Sequence, residues 1–198
     1  MKKSTDYIKK YKICVSGSAA LDPCTPKAKE LAKEVGRQII KQGAILLTGA
    51  TTGIPYWAAV GANEVNGISI GFSPAGTEKE HVKVYRLPTD MFDVIVYTGF
   101  GYAGRNLLLT RASDAVIIIC GRMGTLNEFT VAFEDKKPLG VLEGSGGTAD
   151  KIDYLLKGGY RGKKKVIASR YPDVLVREII KMIKLEKDNN HKPKGRKK

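Results

Sequence analysis

A chain of 198 residues with 42% hydrophobic content can bury one substantial core and leaves little room for a second full domain. No apolar run approaches the roughly 20 residues that span a bilayer, and the charged first twelve residues contain no signal-peptide core, so a soluble cytoplasmic protein without membrane contact is expected. The net charge of +14 suits anionic partners, but six basic residues and one acid between Lys187 and Lys198 place +5 of it at one end, leaving +9 in the body.

Taken in order, apolar runs alternate with segments of helical periodicity, the pattern of successive strand–helix units in a mostly parallel sheet. Strands are expected over residues 12–16, 44–48, 68–72, 94–97, 115–120, 139–142 and 165–168. Helices are expected over residues 26–42, 54–66, 103–112, 125–136, 149–157 and 173–187. Residues 73–91 form a longer, less regular excursion. The run Val116-Ile117-Ile118-Ile119 has no polar alternation, so it should be covered on both faces. The expected fold is therefore α/β: one doubly wound, mostly parallel sheet with helices on both faces, occupying residues 11–186. Residues 1–10 are an N-terminal extension. Residues 187–198 are expected to be a disordered, solubilising tail, with an RNA-binding arm as the alternative.

The three cysteines, Cys14, Cys24 and Cys120, are odd in number and have no metal-ligand spacing, so they are expected to fill the core. With two histidines and no CxxC, a structural zinc site is not expected, and neither is any other metal.

Four glycine-bearing loops follow strands and precede helices. They are Ser16-Gly17-Ser18, Gly49-Ala50-Thr51-Thr52-Gly53, Gly99-Phe100-Gly101-Tyr102-Ala103-Gly104 and Gly121-Arg122-Met123-Gly124-Thr125. In a doubly wound sheet such loops share the edge beyond the strand C-termini, where ligands bind. Glycine allows close backbone approach, and a helix N-terminus offers unpaired N–H groups and a positive dipole end to an anion. The four together describe a phosphate cradle. There is no GxxxxGK[ST], and the GxGxxG at Gly99 opens no strand–helix–strand unit with an acid suitably placed after it, which disfavours ATP hydrolysis and standard nicotinamide chemistry.

The strongest motif is Gly121-Arg122-Met123-Gly124-Thr125-Leu126-Asn127-Glu128, directly after the most apolar strand. With Ile13-Cys14-Val15-Ser16-Gly17-Ser18, Leu47-Thr48-Gly49-Ala50-Thr51-Thr52-Gly53-Ile54 and Gly104-Arg105-Asn106, it resembles the LOG (Lonely Guy) family, often labelled lysine decarboxylase-like, over residues 11–180. The family's mark is PGG-x-GT-x-x-E in a Rossmann-like sheet. The resemblance implies a nucleotide-binding homodimer without a cofactor. It also implies a phosphoribohydrolase that splits the N-glycosidic bond of a nucleoside 5′-monophosphate. It carries the essential arginine and glutamate onto Arg105 and Glu128. Phosphate and nucleotide contacts fall to Gly17, Ser18, Gly49, Gly53, Gly121, Arg122, Gly124 and Thr125.

Two departures stand out. Cys120-Gly121-Arg122 replaces Pro-Gly-Gly, and Asn106 stands where lysine commonly follows the arginine. A related protein binds molybdenum cofactor instead of cleaving nucleotides, so a carrier of a nucleotide or pterin-type phosphate ligand is the alternative function. Nothing resembles a pyridoxal-phosphate lysine. Thr125-Leu126-Asn127-Glu128 also fits a capping box, in which Glu128 would only satisfy a backbone N–H. Tyr56, Trp57, Phe100 and Tyr102 are candidates to stack on a base, or to pack the core.

Overall fold

A computed structural model describes residues 10–159 and 165–191. Its strands are β1 (Lys12–Gly17), β2 (Ile45–Thr48), β3 (Ser69–Ser73), β4 (Val94–Tyr97), β5 (Ala115–Ile119), β6 (Leu139–Leu142) and β7 (Val166–Ser169). The helices are α1 (Ala28–Lys41), α2 (Ile54–Asn63), α3 (Glu78–Lys83), α4 (Gly101–Ala112), α5 (Met123–Glu134), α6 (Ile152–Gly158) and α7 (Pro172–His191), with a 3₁₀ turn at Ala149–Lys151. The strands form one sheet in the order β4-β3-β2-β1-β5-β6-β7, and every pair of neighbours is parallel.

The expected architecture is thus present, and its cause is visible in β5. Ala115, Ile117 and Ile119 join the core on one face with side chains of α1, α2 and α7, while Val116 and Ile118 join the core on the other with Leu109 of α4, Phe129 of α5 and Ile152 of α6. A strand apolar at every position is what two covered faces require. On the first face, α1 and α2 cross closely because Gly36 and Gly61 present no side chain: a Cβ on either would strike backbone of the opposite helix.

Several boundaries differ from the sequence reading. The excursion over residues 73–91 contains α3, nucleated by Thr77, whose hydroxyl accepts from the Glu80 N–H at 3.2 Å while the Glu80 carboxylate accepts from Gly76 N–H at 2.7 Å. Helix α7 runs on to His191, so the first five residues of the expected tail are helical, and Lys187 reaches Asp114 at 3.7 Å and the Tyr11 ring at 4.1 Å. The other tail residues, and all but Lys10 of the N-terminal extension, lie outside the described residues. Among the described residues no helix is long and apolar enough to cross a membrane.

The strand order reverses between β1 and β5: successive units run outward from β1 to β4, then restart at β5 on its other side. Loops leaving β1 and β5 consequently diverge to opposite faces and open a crevice at their C-terminal ends.

Candidate functional site

A cavity of about 440 Å³ occupies that crevice, within the range of small-molecule sites. One wall is Ser16 and Gly17 at the end of β1 with Ser18 and Ala19 just after it; the opposite wall is Arg122, Gly124 and Thr125 at the start of α5. Gly49 and Thr51 after β2 close one side, and Tyr102, Arg105 and Asn106 of α4 close another, with Glu128 also in the lining. Three of the four glycine loops therefore contribute backbone to one space, and the fourth contributes through α4.

Glu128 is not a capping residue. Helix α5 begins at Met123, no side chain caps it, and Glu128 is its sixth residue. The buried residues of α5 are Thr125, Glu128, Phe129 and Ala132, so the carboxylate belongs to the stripe that faces the sheet. There it accepts a hydrogen bond from the Ser16 hydroxyl and pairs with Arg105, Nη1 lying 3.4 Å from Oε1. One end of the Asn106 amide faces two acceptors, Glu128 Oε1 at 3.1 Å and the Tyr102 carbonyl at 3.0 Å, so the nitrogen is assigned to that end and donates to both, with the oxygen toward the Asn127 amide at 3.1 Å. Burial holds the Glu128 carboxyl above the usual carboxylate range; the Arg105 charge and the Ser16 hydroxyl oppose that shift without cancelling it.

The charged lining consists of two guanidinium groups, Arg105 and Arg122, and this one carboxyl. Helix α5 adds its positive end, has no acid in its first turn, and at Gly124 leaves open space where a side chain would stand. Two buried polar atoms of the lining residues, Ser18 Oγ and Arg105 Nε, have no hydrogen-bond partner. Buried polar groups are almost always paired, so these two mark positions that a polar guest would satisfy.

Of the residues expected at the site, Gly17, Ser18, Gly49, Arg105, Arg122, Gly124, Thr125 and Glu128 line the cavity, whereas Gly53 and Gly121 do not. Gly53 has φ of +68° and lies beneath the β1–α1 loop, where a Cβ would come 2.5 Å from the Ala19 carbonyl oxygen. Gly121, at φ of +103°, packs against the Thr125 side chain. Gly49 makes room for its neighbour, since a Cβ there would overlap the Arg105 guanidinium. Among the candidate stacking aromatics only Tyr102 is in the lining; Tyr56 donates to Asp90 at 2.9 Å and Trp57 is covered by Lys29 Nζ at 3.8 Å from its ring centre. Ser16 and Asn106 as partners of Glu128 escaped the sequence reading, since 112 residues separate Ser16 from Glu128.

The cysteine expectation needs correction. Cys24 and Cys120 form a disulfide, their Cα atoms 5.4 Å apart across a sequence separation of 96. The β1–α1 loop brings Cys24 beside the end of β5, a proximity that neither spacing nor hydropathy could reveal. Cys14 is the free, buried core residue expected, its thiol pushed up by burial and then by the Glu128 carboxylate.

The same fold recurs in known proteins. A molybdenum cofactor binding protein from the phototrophic bacterium Rippkaea orientalis superposes with a TM-score of 0.71 at 28% identity, covering 89% of this chain and 99% of that one. The Moco carrier protein from Chlamydomonas reinhardtii gives 0.71 at 27% identity over 90% and 99%. DNA processing protein A from Helicobacter pylori, at 21% identity and a TM-score of 0.62 over 87% and 81%, shares the fold. An uncharacterised protein of Archaeoglobus fulgidus is 26% identical over 132 residues, 67% of this chain and 82% of its own length. The model of the SLOG cluster4 family matches residues 10–176, and the chain belongs to that family.

Proposed function

We propose that the crevice binds a nucleotide-like phosphate ligand and, in the manner of the LOG family, cleaves the N-glycosidic bond of a nucleoside 5′-monophosphate. The observation that carries this reading is the buried Arg105–Glu128 pair, set in the wall of a cationic cavity and fixed from two other directions by Ser16 and Asn106. A buried ion pair is weak support for stability, whereas a carboxylate held by three donors beside open space is an organised reaction centre.

In this reaction the α5 N-terminus, Arg122 and Thr125 take the phosphate, placing the ribose against Glu128. As the bond from the sugar to the base breaks, its electron pair leaves with the base and positive charge develops on the ribose. The ionised carboxylate of Glu128 stabilises that charge and orients the attacking water, whose oxygen becomes the new hydroxyl of ribose 5-phosphate. Arg105 positions the sugar and balances the carboxylate. The departing base takes up the proton. No redox cofactor or metal enters this scheme, and a homodimer is the assembly the LOG resemblance implies.

A carrier is the second reading, favoured by the two molybdenum-cofactor proteins that match nearly full-length at 27–28% identity. There the same cradle holds a pterin-type phosphate ligand without reaction. Incubation with AMP and related monophosphates separates the two. Release of free base and ribose 5-phosphate, abolished in Glu128→Ala, supports the hydrolase; tight binding without turnover supports the carrier. Absence of both turnover and binding with every phosphorylated ligand tried overturns the proposal.

A further inference from the structure

We propose that Cys24 and Cys120 are a thiol–disulfide switch that sets whether the ligand crevice is held in its binding geometry. The inference rests on the reading of that crevice as a ligand site and adds its regulation.

The disulfide joins the two walls of the cavity. Cys24 lies on the β1–α1 loop that begins with Ser18 and Ala19, and Cys120 is the residue from which the chain turns into Gly121, Arg122 and α5. That turn is conformationally costly: Cys120 has φ of +54° although it carries a side chain, and Gly121 has φ of +103°. Its backbone hydrogen bonds come from one other loop. Ser145 Oγ accepts from Cys120 N–H at 2.8 Å, Ala149 N–H donates to the Cys120 carbonyl at 2.8 Å, and Thr148 N–H donates to the Gly121 carbonyl at 2.9 Å. The same loop receives Thr25 N–H on the Ser145 carbonyl at 3.0 Å, next to Cys24. The disulfide is the covalent member of this three-loop junction, and its loss leaves a left-handed turn at a non-glycine residue held by those hydrogen bonds and by the core packing of Cys120.

The pair is also built for exchange. Cys24 is only partly buried, whereas Cys120 is fully buried, so an incoming thiolate meets the Cys24 sulfur. Attack by a dithiol reductant forms a mixed disulfide at Cys24 and breaks the S–S bond; the electron pair leaves on the Cys120 sulfur, which takes up a proton. The reductant's second thiol then displaces Cys24 and closes the reductant's own disulfide, which accounts for both electrons. Re-formation needs a two-electron acceptor of the disulfide or peroxide class. Cys14 does not compete, because it belongs to the core on the opposite face of the sheet from Cys120. In reducing compartments disulfides are characteristically transient and regulatory.

The test compares air-oxidised full-length protein with the same protein reduced in its native state by dithiothreitol, using AMP as the probe in calorimetry and counting thiols by mass spectrometry after acid quenching and alkylation in denaturant. The expected result is two additional reactive thiols on reduction and an AMP affinity about tenfold weaker, as follows if the binding-competent turn falls to about a tenth of the population. Cys24→Ser should show the weak affinity with and without dithiothreitol. The switch is overturned if native protein resists reduction, if reduction leaves the affinity within about twofold, or if Cys24→Ser still responds. If neither state binds AMP, the ligand reading fails separately, and amide hydrogen exchange over residues 119–125 decides the switch: exchange accelerated about tenfold or more on reduction supports it, and unchanged exchange overturns it.

Discussion

Replacing Gly49 with alanine would put a methyl group where the Arg105 guanidinium now lies. The added Cβ would be 2.7 Å from Arg105 Cζ and nearer still to Nη1, so the guanidinium must retreat by about 1 Å or more. The Arg105–Glu128 contact, at 3.4 Å, is already at the outer limit of hydrogen bonding, and that retreat breaks it. Misplacement of a positioning group by about 1 Å costs on the order of 100-fold in rate, so Gly49→Ala should lower turnover of a nucleoside monophosphate by that factor. Stability should fall by about 1–3 kcal/mol, because the displaced guanidinium leaves buried Glu128 less compensated, while the moving atoms are the far end of a flexible side chain and alanine also restricts the unfolded chain. Gly49 does not have a positive φ, so alanine adds no backbone strain. Base release and urea unfolding measured on the same samples check both halves. Wild-type turnover in Gly49→Ala would refute the assignment of Arg105 as the positioning group; a loss of stability well beyond the expected range would refute the steric account.

Glu128→Gln should change the pH dependence of stability in a defined direction. The folded-state pKa of Glu128 lies above its ordinary value, so its favourable contribution is complete below the unfolded pKa and is lost as pH rises through the folded one. The melting temperature of Glu128→Gln relative to wild type should therefore increase as pH rises above the ordinary carboxylate range and level off once the folded carboxyl has ionised, each unit of upward displacement corresponding to about 1.4 kcal/mol; a difference that stays flat with pH would contradict the burial argument. Gly36→Ala provides a contrasting case, because its Cβ would overlap the Ala58 carbonyl group of α2, with the carbonyl carbon at 2.9 Å. That is backbone against backbone, and a loss of about 1–3 kcal/mol in urea unfolding is expected with AMP affinity of the folded protein unchanged; an unaltered unfolding midpoint would mean that the helices separate freely.

Most of the architecture was legible because burial on two faces writes itself into composition: Ala115 to Ile119 could be nothing but an internal strand, and glycines after such strands could only gather at one edge. What the sequence could not display are partnerships made by topology. Ser16 meets Glu128, and Cys24 meets Cys120, because β1 and β5 are neighbours in the sheet despite lying about 100 residues apart. Helix α3 was missed for a different reason: six residues carry too little periodicity, and its start depends on Thr77.

The two threonine–glutamate spacings show how much depends on where a helix begins. At Thr77 to Glu80 the threonine is the residue before the first turn, and both side chains satisfy backbone N–H groups. At Thr125 to Glu128 the positive-φ residues Cys120 and Gly121 turn the chain early enough for the helix to start at Met123, so the same spacing falls inside it. Thr125, Glu128, Phe129 and Ala132 then occupy the i, i+3, i+4 and i+7 positions of one face, with a carboxylate on the stripe that should be apolar. That violation was present in the sequence from the start. A core-facing acid must be compensated from elsewhere, and the compensation by Ser16, Arg105 and Asn106 is what turns a local inconsistency in α5 into a site.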